Sequence, residues 1–414
     1  MGNRILVVGT YDTKEDELTY IAQVIRAQGG EVLTMDVSVL GDPKVATDIS
    51  KHDVTAEAGS TIAAVIAHDN ENDAMQVMAI GAAKLARRLH TQGCFDGAIV
   101  LGGSMGTDLA LDLCAALPLG VPKYVVSTVS FSPMIPPDRL AADIQMILWA
   151  GGLYGLNSIC KASLSQAAGA VLGAARAVQA PTRTKPLIGM TSFGKSVLRY
   201  MMPLKPALEA RGFELVVFHA TGMGGRAFEA LAAEGAFACV MDFAPQEVTN
   251  HLFGSAISAG PDRMTAAGLR GTPQMVAPGC YDLLDVVGWQ APPERFRDQP
   301  VHAHNRLLSS YLTSADDRRD IARALCEKLA VATGETTLFL PMKGCNEWDR
   351  PGGPLCDPDG LKTFCAALRA GLPPNVRLVE LDAHINDTAF CDAVLGLFDD
   401  WVAKGIIPTA APAL

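Results

Sequence analysis

One stretch narrows the choice of fold more than any other: residues 97–114, GAIVLGGSMGTDLALDLC, where an apolar run stops at glycines and restarts at once as a helix. Four consecutive apolar residues at 98–101 suit a strand buried on both faces, the habit of parallel sheets. Met105, Leu109 and Leu113 recur at helical spacing, so the turn at 102–107 lies at a helix N-terminus. Gly102, Gly103 and Gly106 leave no Cβ to keep a ligand away, Ser104 and Thr107 add hydroxyls, and the helix dipole favours an anion there. This is the physics of a phosphate or carboxylate cradle, with a tight strand-to-helix turn as the plain alternative.

A loop of this kind needs a sheet around it. Residues 4–9 form a first strand, Leu18, Ile21, Ala22 and Ile25 make the apolar stripe of a helix, and 32–35 form a second strand ending at Asp36. The first turn carries Thr10, Asp12 and Thr13 where a dinucleotide fold would carry GxGxxG, so the nicotinamide fingerprint is absent. Residues 38–60 read as a loop or short crossing segment, 75–90 as an amphipathic helix, and 122–128 as a strand delivering Ser127 and Thr128. Open parallel sheets collect ligands beyond the carboxyl ends of their strands, and Thr10, Asp12, Asp36, Ser104, Thr107, Ser127 and Thr128 all fall there. From Asp138 a helical, apolar run extends to about Val178, its small residues suited to a subunit contact or to plain core packing.

Polar, proline-flanked 180–186 reads as a linker, after which the pattern restarts: a short strand at 187–190, a helix at 197–209, a strand at 213–218 ending at His219. At 414 residues two domains are expected, 1–180 and 181–414, both α/β and Rossmann-like, with mainly parallel sheets and a cleft between them. Gly189 to Ser196 satisfies GxxxxGK[ST], but only Leu187 and Ile188 separate it from Pro186, too short a strand for a working P-loop. A better cradle is His219-Ala-Thr221-Gly222-Met-Gly224-Gly225-Arg226, again between strand and helix; Gly260-Pro-Asp-Arg263 and Ala277-Pro-Gly279-Cys280 are further loops. With Thr191 and Ser192 at the preceding strand end, these residues outline a second anion site near the cleft.

Several exclusions follow from composition. Lys and Arg total 34 against 44 Asp and Glu, a net charge of −10 without a basic run, which argues against general nucleic-acid binding. The ten cysteines show no CxxC and no zinc-like spacing, and the two imidazoles of His302 and His304 lack a third ligand, so no metal site is expected. No segment is long and apolar enough to span a bilayer, and a strand starting at residue 4 leaves no room for a secretory leader; a cytoplasmic protein with reduced thiols is expected.

Taken together, VVGTYDTKEDEL, GGSMGT, PKYVVSTVSF, FHATGMGG, SAGPDRM and LDAHINDTAF resemble the UPF0261 family, also called the Tm-1-like ATP-binding family, along essentially the whole chain. The resemblance implies two α/β domains and ATP binding in the first, carried to Thr10, Asp12, Thr13, Gly102, Gly103, Ser104, Gly106 and Thr107. Magnesium would accompany the nucleotide. The chain departs from the family pattern at His304-Asn305-Arg306 and at Lys343-Gly344-Cys345-Asn346. The expectation is a homo-oligomeric small-molecule enzyme using ATP, a transferase or ligase. Its alternatives are a non-catalytic nucleotide-dependent regulator, or a sugar-acid or keto-acid enzyme working through His219 and the His302/His304 region without ATP.

Overall fold

The computed structural model describes residues 3–68, 70–179, 184–194, 197 and 199–410. The chain divides into two compact units, Met1–Pro181 and Thr182–Leu414. The expected boundary at 180/181 falls on residues outside the described ones.

In the first unit five strands, β1 (Arg4–Gly9), β2 (Glu31–Asp36), β3 (Gly97–Gly102), β4 (Lys123–Ser127) and β5 (Ile144–Leu148), lie in the order β2-β1-β3-β4-β5. Every neighbouring pair is parallel. The period of two along β1 sorts the core: Ile5 and Val7 pack with helices α1 (Glu15–Ala27) and α6 (Ser158–Ala177) on one face. Leu6 and Val8 pack with α4 (Glu71–Thr91) and α5 (Ser104–Ala116) on the other. The expected stripe of α1 is buried at Leu18, Ile21, Ala22 and Ile25, each large aliphatic contributing about 1.5–3 kcal/mol.

Two expectations are corrected here. The run from 138 to 178 is not one helix: it contains the edge strand β5, and α6 starts only at Ser158, where Asn157 caps it. The small residues Ala167, Ala168 and Ala175 of α6 are buried within the unit's own core. Residues 38–60 are not all loop, because α2 (Lys51–Glu57) forms behind a capping box in which Ser50 and Asp53 satisfy each other's backbone amides. A short α3 (Ile62–Ile66) follows.

The second unit carries six parallel strands, β6 (Leu187–Ser192), β7 (Glu214–His219), β8 (Phe237–Asp242), β9 (Gln274–Val276), β13 (Thr336–Pro341) and β14 (Arg377–Leu381). Their order is β14-β13-β9-β8-β6-β7. Helices here include α7 (Met201–Ala210), α8 (Met223–Glu234), α11 (Ala315–Ala330) and α12 (Pro358–Gly371). Between β9 and α11 sits a small antiparallel sheet absent from the sequence expectation: β10 (Leu283–Val287), β11 (Val301–Ala303) and β12 (Leu308–Leu312), ordered β10-β12-β11. Strand β6 runs two residues further than expected, so Gly189 lies inside the ladder, opposite Val216 and Val240. A P-loop needs that first glycine in the turn; Lys195 and Ser196 themselves lie outside the described residues. Among the described residues no helix is long and apolar enough to cross a membrane.

Candidate functional site

In the first sheet the chain winds one way from β1 to β2 and the other way from β1 to β3, so the loops after β1 and β3 part and leave a crevice at their carboxyl ends. A cavity of about 680 Å³ occupies that place. One wall is made by Thr10, Asp12, Thr13 and Lys14 after β1 and by Gly102, Gly103, Ser104 and Gly106 after β3. The rest of the lining is mostly apolar, Val39, Leu40, Val65, Ile66, Ala74, Met75 and Met105, with Asn70 and Glu71 among them. Leu40, Ile66 and Met105 keep 74%, 45% and 40% of their surface exposed, an unusual concentration of open apolar side chains around one hollow.

The polar wall is shaped by local sequence. Gly103 is the N-cap of α5 and no side chain caps that helix. Its first internal bond is from the Thr107 N–H to the Gly103 carbonyl (2.8 Å), which leaves the amides of Ser104, Met105 and Gly106 without an intrahelical acceptor. Gly102 lets the turn close, since a Cβ there would come 2.5 Å from Gly106 Cα. After β1, the Thr13 and Lys14 amides donate to the Thr10 carbonyl (3.2 and 2.8 Å), and the Thr10 and Thr13 hydroxyls lie 3.0 Å apart. The Asp12 N–H donates to Ser38 Oγ (3.0 Å), and Asp12 Oδ2 accepts the Gly41 N–H (3.2 Å). Asp12 Oδ1 is shut off from solvent and has no hydrogen-bond partner, an orphan acceptor on a residue lining the cavity.

Four residues expected at this edge are not among those that line the cavity. Asp36 is 1% exposed and its Oδ1 accepts the Tyr11 and Ser38 amides (3.2 and 2.9 Å) and the Ser38 hydroxyl, so it fixes the first loop from beneath. Thr107 and Ser127 are buried against each other (2.6 Å between hydroxyls), with Thr107 also donating to the Gly103 carbonyl (2.7 Å). Thr128 adjoins Gly103 and donates its N–H to the Gly102 carbonyl (3.4 Å). Apart from Met105, the apolar lining was not legible because it comes from 38–75, a segment whose polar residues mask the few apolar ones that line the hollow. The Lys14 ammonium, which the sequence did not single out, stands 5.3 Å from the centroid of the Tyr154 ring.

The second expected cradle is differently filled. Gly222 caps α8 with φ 87°, but its N–H and that of Gly225 donate to Oε1 of Glu247 (2.5 and 3.2 Å). The loop thus holds an anion of the protein's own. Gly224 and Gly225 are required by contact, because a Cβ would overlap the His219 carbonyl and the Glu247 carboxylate respectively. Arg263 is fully buried: its Nε donates to Glu247 (2.7 Å), and its Nη atoms bind Glu229 (3.1 Å) and Asp242 (2.8 Å from Nη2). It has no surface to offer a ligand. Burial raises the Glu247 carboxyl to about 7, against the opposing pull of Arg263. Asp242 is committed to Arg263 and to the Thr191 hydroxyl (2.7 Å), which accounts for Thr191.

Of the remaining residues of that set, Ser192 is buried opposite His219 in the ladder, and Gly279 donates to the Phe243 carbonyl (3.1 Å) where a Cβ would collide with it. His219 stays accessible, 3.1 Å from Thr221 Oγ1; partial desolvation, with His304 nearby, lowers its pKa. His302 stacks on Trp348 (4.0 Å between centroids). Among the described residues no three His, Cys, Asp or Glu side chains are grouped to hold a metal ion.

Comparison with known proteins bears on the whole chain. The model described as Uncharacterised protein family (UPF0261) N-terminal domain matches residues 3–180, and the C-terminal domain of the same family matches 185–402. A UPF0261 protein of Brucella melitensis biotype 1 is 52% identical over 404 residues, 98% of this chain and 97% of its own. One of Clostridium tetani is 35% identical over 397 residues, 95% and 98% of the two chains. The ToMV resistance protein Tm-1(GCR237) of Solanum lycopersicum is 27% identical over 420 residues, which span 95% of this chain but 55% of that protein. With both domains matched and relatives aligned almost from end to end, the chain belongs to the UPF0261 family.

Proposed function

We propose that the first unit binds a nucleoside triphosphate, ATP with Mg²⁺, in the cavity at the ends of β1 and β3. The observation that carries this is the uncapped N-terminus of α5 opening onto a hollow whose remaining lining is mostly apolar. Free amides and the dipole of a helix of 13 residues suit phosphate, while Leu40, Ile66 and Met105 offer flat apolar surface suited to a purine. Lys14 adds a positive charge at the polar wall. The residues present fit a magnesium ion as well: Asp12 Oδ1 is an oxygen acceptor without a partner, and Mg²⁺ takes one or two protein carboxylates beside the phosphates. When bound, the ion supplies charge neutralisation for the phosphate oxygens; the chain's part is to orient the phosphates on α5 and keep the base out of water.

This reading extends to ATP-dependent transfer or ligation in a homo-oligomer acting on a small anionic substrate. A second reading, a nucleotide-responsive protein without turnover, is favoured by the side chains around the hollow. Asp12 and Glu71 are the only carboxylates among the described lining residues, and Asp12 is engaged in holding its own loop. Phosphate release with a panel of carboxylic acids separates the two. Binding itself is tested by calorimetric titration with ATP and Mg²⁺ of the wild type and of Gly103→Asp, which sets a carboxylate at the cradle. The wild type is expected to bind and the variant to lose at least about tenfold, the worth of one charge-assisted hydrogen bond. A flat wild-type titration, or equal affinity in the two proteins, overturns the proposal.

A further inference from the structure

The long loop between β13 and α12 covers a second hollow, of about 350 Å³, wholly within the second unit and sharing no residue with the nucleotide cavity. It lies past the carboxyl ends of β13 and β14, where parallel sheets place their ligands. Its polar groups are held in place by a network. His384 Nδ1 accepts the Asn386 N–H (3.0 Å), which puts the ring proton on Nε2, where it is shared with Asp349 Oδ1 and the Asn346 carbonyl (2.9 Å each). Asp349 Oδ2 accepts the Cys345 and Asn346 amides (2.6 and 3.2 Å), and Asn346 Nδ2 donates to Asp282 (3.1 Å). Asp282 is 3% exposed, with Arg318 behind it at 3.8 Å.

The guanidinium of Arg350, on the cavity wall, pairs with Asp387 (3.0 Å), and its Nε stands 4.0 Å from Glu347 without a hydrogen bond. Arg318, 1% exposed, holds its Nη2 3.8 Å from Asp282, behind the wall. The wall therefore presents fixed acceptors, Asp282 and Asp349, beside the Arg350 guanidinium.

We propose that this cavity binds a neutral polyhydroxylated small molecule, a polyol or simple sugar. A hydroxyl both donates and accepts, so one group serves a carboxylate and a guanidinium N–H side by side, whereas an ammonium only donates and a carboxylate or phosphate only accepts. Four carboxylates on the wall, Asp282, Asp349, Asp357 and Asp387, face two cations, Lys343 and Arg350, a balance that repels a phosphate dianion. The volume is near the lower end for ligand pockets and suits one small metabolite. Leu361 and Pro351 give the apolar surface that a carbon skeleton needs.

The test is saturation-transfer NMR and calorimetry on the full-length protein with glycerol, tetritols, pentitols, hexitols, the matching aldoses, their phosphate esters and simple amines. A neutral member is expected to bind, its phosphate ester at least about tenfold more weakly, one desolvated like-charge contact being worth that much. Leu361→Trp fills the hollow without removing charge and is expected to abolish the signal, with circular dichroism and the melting temperature confirming the fold. Asp282→Asn is expected to weaken binding about tenfold, the loss of one charged acceptor. ATP titration of the same variants is expected to match the wild type, so the nucleotide proposal can fail while this one stands. Absence of binding across the panel, persistence of binding in Leu361→Trp, or preference for phosphorylated or ammonium compounds overturns it.

Discussion

Adjacent glycines after β3 have opposite obligations. A Cβ on Gly102 would come 2.5 Å from Gly106 Cα, whereas one on Gly103 meets nothing nearer than Thr128 Oγ1 at 3.8 Å. Gly102→Ala is therefore expected to lower stability by about 1–3 kcal/mol in urea denaturation, the usual cost of overpacking. Gly103→Ala is expected to stay within about 0.5 kcal/mol of wild type. Both glycines could be read from the sequence as parts of one cradle; that one serves the fold and the other the opening depends on distances no spacing reveals. The same holds for Glu247, which reaches Gly222 and Gly225 only through tertiary closure. Burial also leaves a titration signature at Asp285, whose carboxyl is raised from 3.8 to about 6 against the donors Ser310 and Asn250. A carboxyl raised on folding favours the folded state fully below about pH 3.8, and that contribution fades as pH rises through about 6. Over this window Asp285→Asn is expected to remove roughly 3 kcal/mol of pH dependence, two pKa units' worth, from plots of denaturation midpoint against pH.

Helix α5 is the element on which the nucleotide proposal turns, and the proposal makes its N-terminus a compromise between function and stability. An aspartate at Gly103 would cap the exposed amides, and its backbone (φ −75°) is one any residue adopts. Gly103→Asp is thus expected to raise stability slightly, by a few tenths to about 1 kcal/mol in urea denaturation, while it weakens ATP binding at least about tenfold. A turn with no ligand would show the first effect without the second. The strands and helices around this element were legible because their periods are clean: β1, β3 and β4 are short apolar runs, and α1 shows one stripe. Strand β5 was not, since its burial is partial and irregular along an edge and its residues merge into a longer apolar run. The capping box of Ser50 and Asp53 was a signal present in the sequence and overlooked, because the helix it starts is only seven residues long.

Both units begin with the same plan, a first strand flanked by the second on one side and the third on the other. That was visible in the restart of the pattern after the linker, whereas the antiparallel insertion β10-β12-β11 was hidden by its short strands, of which β11 and β12 are only partly buried. If ATP binds as proposed, hydrogen exchange of the intact protein with and without nucleotide is expected to show protection around residues 10–14, 40, 66–75 and 102–106 and none in 219–226. Saturation at a hundred times Kd would add about 2.7 kcal/mol to the stability of the first unit alone. The difference between the two glycine loops follows from where each finds its negative charge. Glu247 gives the later loop a counterion welded into the polypeptide, so the Gly222 and Gly225 amides are satisfied without any dissolved anion. The earlier loop has no such private supply, and if nucleotide binds there as proposed, the charge that completes it comes and goes with the concentration of that solute.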